Sequence, residues 1–158
     1  MVRETEAGDV GAIMRLVEGS GQFDPEGVAH VRTTLENHLA GSPTGIWLTA
    51  SDSTPVGVAF CAPEPMAAGA WNLLLLWVEP DHARGGHGRA LVQRLETMLS
   101  DRDARLLVVE TSGTPEFAVA RAFYANRNFT HEATIRDFYS EGEDKLIFTK
   151  GLSGPGKA

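Results

Sequence analysis

The sequence has few of the residues that stabilise small secreted domains or bind polyanions. Cys61 is the single cysteine among 158 residues, so no disulfide can form within the chain, and its apolar surroundings favour a small buried side chain over a nucleophile. Lysine and arginine total 14, against 21 aspartates and glutamates. The formal net charge of −7 argues against a nucleic-acid partner and suits a cationic substrate.

Long apolar segments and metal-ligand spacings are also missing. The longest uninterrupted apolar run, Leu73–Val78, is too short to span a bilayer, and the polar N-terminus MVRETEAGDV lacks the apolar core of a signal peptide. We therefore expect a cytoplasmic protein with no membrane partner. The five histidines show no metal-ligand spacing with cysteine or with a second histidine, so no metal site is expected.

The periodicity of apolar residues predicts one α/β domain over residues 1–152, followed by a disordered tail at 153–158. The predicted order is strand, two helices, three strands, helix, strand, helix and two strands. Hairpin connections give antiparallel pairs, whereas the strand–helix–strand unit from Trp71 to Val109 gives a parallel pair. The predicted strands are Val2–Thr5, Ile46–Ala50, Val56–Ala62, Trp71–Val78, Leu106–Val109, Phe129–Ile135 and Lys145–Thr149.

Residues at the helix ends and along the apolar faces make this prediction more specific. Asp9 and Asp24 are predicted N-caps of the first two helices, and Asn128 can adopt the left-handed conformation that ends the last one. The strand Trp71–Val78 is apolar enough to be covered on both faces. The last helix, predicted over Pro115–Asn126, should present an inward stripe of Phe117, Ala120, Phe123 and Tyr124.

The stretch PDHARGGHGRAL places three glycines and two arginines where the third helix begins. Arginine is unfavourable there because of the helix macrodipole, and glycine weakens the helix, so a bound anion would offset both costs. The P-loop pattern fails because no GK[ST] follows, and the dinucleotide pattern GxGxxG fails because Leu91 stands at the third small position. The alternative is a flexible connection that binds no ligand.

The segment LLWVEPDHARGGHGRAL resembles the acetyl-CoA motif of the GNAT superfamily of N-acetyltransferases. The similarity extends over about Met1 to Leu152, because the order of elements also matches and ETSGTPEFAVARAFYANRNF resembles the second half of the family. It implies a single GNAT-like α/β domain. In that fold a mixed, mostly antiparallel sheet of about seven strands is flanked by four helices, and its central parallel pair is splayed to hold CoA.

The resemblance also implies a set of cofactor contacts. The backbone of the last strand residues before the motif would pair with the pantetheine arm, and the glycine turn would wrap the pyrophosphate, flanked by two arginines. Two departures from the family pattern occur: Ala83 replaces the usual glutamine or arginine, and Asn128 replaces a glycine. The cofactor-binding residues implied are Leu76, Trp77, Val78, Ala83, Arg84, Gly85, Gly86, His87, Gly88 and Arg89.

Two catalytic residues are implied by the same resemblance. Glu110 ends the strand LLVVE, where family members often carry a glutamate that deprotonates the amine directly or through water. Tyr124, in RAFYANRNF, matches the tyrosine that points at the cofactor sulfur and can protonate the departing thiolate. Glu110 could instead face solvent at a strand end, and Tyr124 could only pack in the helix stripe. The oxyanion would be met by a backbone N–H, that of Val78.

The remaining polar residues have a structural and a functional interpretation. His82 and His87 are expected at the surface of the phosphate turn or in contact with phosphate, and not as bases. The residues Asp137, Phe138, Tyr139, Glu141, Glu143 and Asp144 form an acidic, aromatic rim between the last two strands. The rim is either a solvated loop or a surface that attracts a cationic amine.

The sequence therefore predicts an acetyl-CoA-dependent N-acetyltransferase that acts by direct transfer in a ternary complex. The acceptor is left open between a protein N-terminus, a lysine side chain and small amines such as polyamines, amino acids or aminoglycosides. The alternative is a non-catalytic acyl-CoA-binding domain used for regulation or interaction. Acetyl-CoA is the only co-substrate expected, without a metal, and many relatives form homodimers.

Overall fold

A computed structural model describes residues 1–42 and 45–152. The tail predicted at 153–158 lies outside the described residues, and the single domain over 1–152 stays a prediction. The described strands are β1 (Val2–Glu4), β2 (Ile46–Ser51), β3 (Pro55–Pro63), β4 (Ala70–Val78), β5 (Leu106–Ser112), β6 (Thr130–Ser140) and β7 (Glu143–Gly151). The helices are α1 (Val10–Ser20), α2 (Pro25–Leu39), α3 (His87–Asp101) and α4 (Ala118–Asn126).

The strands of the described chain form one mixed sheet of seven, in the order β1-β2-β3-β4-β5-β7-β6. β4 and β5 run parallel, pairing Ala70–Leu73 with Leu106–Val109, as the connecting helix requires. Adjacent pairs β1–β2, β2–β3, β5–β7 and β6–β7 are antiparallel. The predicted mostly antiparallel sheet with one parallel pair and four helices is confirmed.

The chain groups into two compact units. The first comprises Met1–Ala62 and Leu74–Met98, and the second comprises Pro63–Leu73 and the chain from Leu99 onward. In the first unit, helical spacing places apolar side chains of α1 on one face, where they pack with α2 and with strand residues. This core consists of Ile13, Met14, Leu16, Val17, Leu35, Trp47, Val58 and Leu75.

Of the two predicted N-caps, one is confirmed and one is wrong. The Asp24 carboxylate accepts the N–H of Gly27 at 2.7 Å and caps α2. Asp9 makes no side-chain cap of α1, because its carboxylate is already occupied. It accepts the Arg3 guanidinium at 2.7 and 2.9 Å and the N–H of Glu6 at 2.8 Å, which ties β1 to the turn before α1.

The prediction that β4 is covered on both faces is wrong for the middle of the strand. Leu73 and Leu75 are buried, but Leu74 between them is 52% exposed. Successive side chains of a strand point to opposite faces, so this alternation indicates one covered face and one open face at that point.

The last helix is shorter than predicted. Pro115–Phe117 form a 3-10 turn, and α4 begins only at Ala118. Asn128 has φ 66°, so its predicted left-handed conformation is confirmed. Only one member of the predicted inward stripe, Tyr124, is buried, and the others, Phe117, Ala120 and Phe123, are partly exposed.

The predicted loop between the last two strands is largely strand. β6 continues to Ser140 and β7 begins at Glu143. Asp137 has φ 54° in an irregular part of the ladder, where its N–H donates to the Asp144 carboxylate at 3.0 Å. The Asp137 carboxylate in turn accepts the N–H of Gly142 at 2.8 Å. These carboxylates satisfy backbone groups that a regular ladder would have paired, so the rim is an ordered hairpin end.

Candidate functional site

In the first unit, backbone hydrogen bonds define the connection from β4 to α3. The N–H of Glu79 donates to the carbonyl of Val56 on β3 at 2.8 Å and fixes the start of the connection. Pro80–His82 then form a 3-10 turn, and the N–H of Gly85 donates to the His82 carbonyl at 3.1 Å. The segment therefore has a defined course and does not behave as a featureless linker.

Two of the glycines in this connection have separate structural reasons. Gly86 has φ +78°, a conformation that side chains rarely adopt, and a Cβ there would meet nothing within 4 Å. At Gly85 a Cβ would lie 3.0 Å from Cδ2 of His87, so the missing side chain makes room for the imidazole. The space beside Gly86 is open to a ligand.

The beginning of α3 carries the features of an anion site. The first backbone N–H groups of a helix have no acceptor within the helix, and the macrodipole makes this end partly positive. Arg84 and Arg89 are exposed on either side of the helix start at His87. The predicted phosphate-binding residues are thus brought together on one turn, and Ala83 lies there without a polar side chain.

Leu76, Trp77 and Val78 are the last residues of β4. The side chain of Trp77 packs against the core of the first unit, and all three residues precede the connection to α3. Their contact with a pantetheine arm stays a prediction.

The two histidines of the turn do not point freely into solvent. Nδ1 of His82 lies 2.9 Å from the Asp52 carboxylate, and Nε2 of His87 lies 3.4 Å from the same oxygen. His87 is only 8% exposed, so the expectation of a surface histidine is wrong there. The hydrogen bond from His82 is the main reason that the pKa of Asp52 is lowered. This group of three could hold a metal ion.

In the second unit, Glu110 lies on β5 opposite Ile147 of β7. Lys145 lies opposite Ser112, two positions along the same ladder, so Glu110 and Lys145 share a face of the sheet. The Lys145 ammonium lies 3.1 Å from the Glu110 carboxylate, and the Lys145 side chain is only 13% exposed. Glu110 is thus exposed at its strand position, and its carboxylate is paired there with a primary ammonium group.

Aromatic residues of β6 complete the surroundings of this ion pair. The Lys145 ammonium lies 4.1 Å from the ring centroid of Phe138, in a cation–π contact. Burial raises the pKa of Tyr139, and the charges of Glu110 and Glu143 add to the increase. Lys145 reaches Glu110 only through the β5–β7 register, so no pattern along the sequence points to this ion pair.

Tyr124 on α4 is buried among aromatic rings. Its ring centroid lies 5.4 Å from those of Phe123 and Phe129 and 6.2 Å from that of Phe148. Burial raises the pKa of the Tyr124 phenol, so the group stays protonated but is a weaker acid than an exposed tyrosine. Tyr124 therefore packs within an aromatic cluster, and its role toward the cofactor sulfur stays a prediction.

No helix in the described parts of the chain is both long and apolar enough to cross a membrane.

The sequence matches the acetyltransferase (GNAT) family over residues 14–129. The matched segment includes the turn before α3, Glu110 and Tyr124. No curated protein matches the chain.

Solved structures resemble the chain over nearly its whole length. A protein of the GNAT family from Desulfovibrio desulfuricans is 29% identical, with TM-score 0.90, and the match covers 97% of this chain and 99% of that one. The ribosomal-protein-S18-alanine N-acetyltransferase of Escherichia coli is 20% identical, with TM-score 0.78 and coverage of 99% and 96%. An aminoglycoside 6'-N-acetyltransferase complexed with coenzyme A is 14% identical, with TM-score 0.79 and coverage of 96% of each chain. The last two similarities show the fold, and the family match shows that this chain belongs to the GNAT acetyltransferases, which are acetyl-CoA-dependent N-acetyltransferases.

Proposed function

We propose that this protein transfers the acetyl group of acetyl-CoA to the α-amine of a peptide or protein N-terminus, directly and within a ternary complex. The observation that carries the proposal is the Glu110 carboxylate, which lies 3.1 Å from the Lys145 ammonium. The ion pair shows that a primary ammonium group can reach this carboxylate, so an acceptor amine could take the same place and give its proton to Glu110.

The cofactor half of the proposal rests on the first unit. The backbone of Leu76, Trp77 and Val78 would pair with the pantetheine arm, and the amides from Ala83 to Gly88 would hold the diphosphate. Arg84 and Arg89 supply charge-assisted contacts at the two sides of the turn. A solved structure of the same fold with bound coenzyme A supports this assignment.

The pKa of the acceptor amine favours an N-terminus over a lysine side chain. An α-amine has a pKa of about 7.7 to 8.0 and a lysine amine one of about 10.4, so only the α-amine is appreciably neutral at pH 7. Lys145 competes with an incoming amine for Glu110, which limits how much help the carboxylate can give. An acceptor that needs little help therefore suits this site best.

The proposed reaction has two proton transfers, one to Glu110 and one from Tyr124. The neutral amine attacks the thioester carbonyl, the new C–N bond forms, and the oxyanion is met by backbone N–H at Val78. The proton lost by the amine goes to Glu110, directly or through water. The C–S bond then breaks, and the thiolate takes a proton from Tyr124, which solvent later restores.

The ordered hairpin end is proposed to attract the acceptor. Its carboxylates, Glu141, Glu143 and Asp144, add negative charge next to the exposed rings of Phe138 and Tyr139. Negative potential there would raise the local concentration of a positively charged peptide. We further propose a cytoplasmic location, as expected from the sequence, and a homodimer, because many relatives of the family form one.

The acceptor class is tested by the rate of free-thiol release from acetyl-CoA with matched peptides. One peptide has a free N-terminus and no lysine, the second is the same peptide with a blocked N-terminus and one lysine, and the third acceptor is a polyamine. We expect the free N-terminus to react at least about tenfold faster than the other two at pH 7. Faster reaction with the lysine peptide or the polyamine would overturn the assignment of the acceptor, while leaving acetyl transfer intact.

The competing function is a non-catalytic acyl-CoA-binding domain. It predicts tight acetyl-CoA binding but no thiol release with any acceptor in this panel. The presence of both Glu110 and Tyr124 within the segment matched to the family favours the enzyme.

A further inference from the structure

Three side chains from separate segments converge beside the turn before α3. Asp52 lies in the turn between β2 and β3, His82 in the 3-10 turn after β4, and His87 at the first position of α3. Their ligand atoms, one from each residue, all lie within 4.8 Å of one another. Two imidazoles and a carboxylate form a donor set that suits Zn²⁺ and similar divalent ions.

The distances are close to those that a bound ion requires. Zn²⁺ binds imidazole nitrogen and carboxylate oxygen at about 2.0 to 2.2 Å, which places tetrahedral ligand atoms about 3.3 Å apart. The Asp52 oxygen lies 2.9 Å from Nδ1 of His82 and 3.4 Å from Nε2 of His87. Side-chain shifts of about 1 to 1.5 Å would therefore bring all three onto one ion.

The accessibility of the three groups also fits a metal site. The His87 side chain is only 10% exposed, that of His82 is partly exposed and that of Asp52 is exposed, so an ion could enter from the Asp52 side. Gly85 lacks the Cβ that would otherwise press on the His87 ring. The fourth position of a tetrahedral ion would then face solvent and take water.

The charge of Asp52 gives a further reason to expect a bound cation at this place. A carboxylate beside a turn that is to hold a diphosphate opposes the anion, and a divalent cation on the same carboxylate would remove that repulsion. The ion would also tie the β2–β3 turn to both ends of the glycine turn.

We propose that Asp52, His82 and His87 form a binding site for a divalent ion of the zinc type, which braces the turn before α3. The site is distinct from Glu110 and Tyr124, and binding of the ion does not depend on the proposed acceptor. No spacing of residues along the chain indicates this site, because its ligands come from segments that only the fold brings together.

The test uses tag-free protein freed of metal by a chelator, with zinc chloride as the probe in a calorimetric titration. We expect one equivalent of Zn²⁺ to bind, and cobalt chloride to give the visible absorption of a tetrahedral Co²⁺ site with nitrogen and oxygen ligands. Asp52→Asn and His82→Gln should each weaken binding at least about tenfold, since each removes one of three ligands. His30→Gln, which removes an exposed imidazole on α2, is the matched control and should bind like the parent protein.

Two further measurements keep the result interpretable. Thermal unfolding of each metal-free variant shows whether it is folded, and Asp52→Glu keeps a carboxylate and should retain more affinity than Asp52→Asn. Absence of stoichiometric binding, or equal binding by the parent protein, Asp52→Asn and His82→Gln, would refute the site. The zinc titration needs neither acetyl-CoA nor an acceptor, so failure of the site is distinguishable from failure of the proposed acetyl transfer.

Discussion

Replacing Tyr124 by phenylalanine separates the packing of its ring from the chemistry of its hydroxyl. The ring contacts Phe123, Phe129 and Phe148, and phenylalanine keeps all of these contacts. The free energy of unfolding should therefore change by less than about 1 kcal/mol, because only a buried hydroxyl is removed. The value of kcat should fall by about 10- to 1000-fold, because the thiolate loses its proton donor.

The size of that loss corresponds to about 1.4 to 4 kcal/mol of transition-state stabilisation. The raised pKa of Tyr124 keeps the phenol protonated but also makes it a weaker acid, so the loss on substitution measures whether the hydroxyl acts at all. The assay is thiol release at saturating acetyl-CoA and acceptor, combined with urea unfolding of the same preparations.

Phe129→Leu is the matched control, since Phe129 is buried in the same cluster and carries no hydroxyl. It should lower the free energy of unfolding by about 1 kcal/mol or more and leave kcat nearly unchanged. If Tyr124→Phe kept full activity with intact cofactor binding, the tyrosine would serve packing alone and another group would protonate the thiolate.

Three other predictions concern the base, the cofactor turn and the core. Glu110→Gln should make kcat/KM fall about tenfold per pH unit below the pKa of the acceptor amine, because the reaction then follows the neutral fraction; a pH profile identical to the parent would exclude this base. Ala83→Gln should tighten coenzyme A by about two- to tenfold in calorimetry, whereas Arg84→Ala should weaken it and reduce its salt dependence; equal affinities would show that the turn is wrongly assigned. Asp9→Asn should destabilise the protein by about 1 to 3 kcal/mol at pH 7, because it breaks a mostly buried pair with Arg3. Folding lowers the pKa of Asp9, so its contribution to the free energy of unfolding is present above about pH 4 and is lost as pH falls through the folded pKa. The difference in free energy of unfolding between the parent and Asp9→Asn, measured with urea, should shrink in that range. A difference that does not change with pH would contradict the role of the charge.

Patterns among residues that are close in sequence were sufficient to predict most of the fold. The cap at Asp24 and the left-handed Asn128 depend on neighbouring residues only, and both were predicted correctly. The cap at Asp9 was wrong because Arg3, on the preceding strand, binds the same carboxylate. Sequence reasoning could not foresee that competition, since it depends on how β1 lies beside the turn.

The candidate site also has one part that the sequence indicates and one part that only the fold brings together. The glycine turn is contiguous in sequence, so its residues could be proposed from the amino-acid sequence alone, and their contact with coenzyme A stays a prediction. The partner of Glu110 could not, because Lys145 reaches it only through the register of β5 with β7. The contact of Asp52 with His82 likewise joins segments that are 30 residues apart in the chain.

The most direct test of the central claim is the mass spectrum of a peptide with a free N-terminus after incubation with acetyl-CoA and catalytic amounts of the protein. Acetyl transfer predicts many product molecules per protein molecule, with one acetyl group on the α-amine for each molecule of coenzyme A released. The contrary result is that acetyl-CoA binds in calorimetry while this peptide, the lysine peptide and the polyamine all stay unmodified. That result would contradict acetyl transfer and favour an acyl-CoA-binding domain.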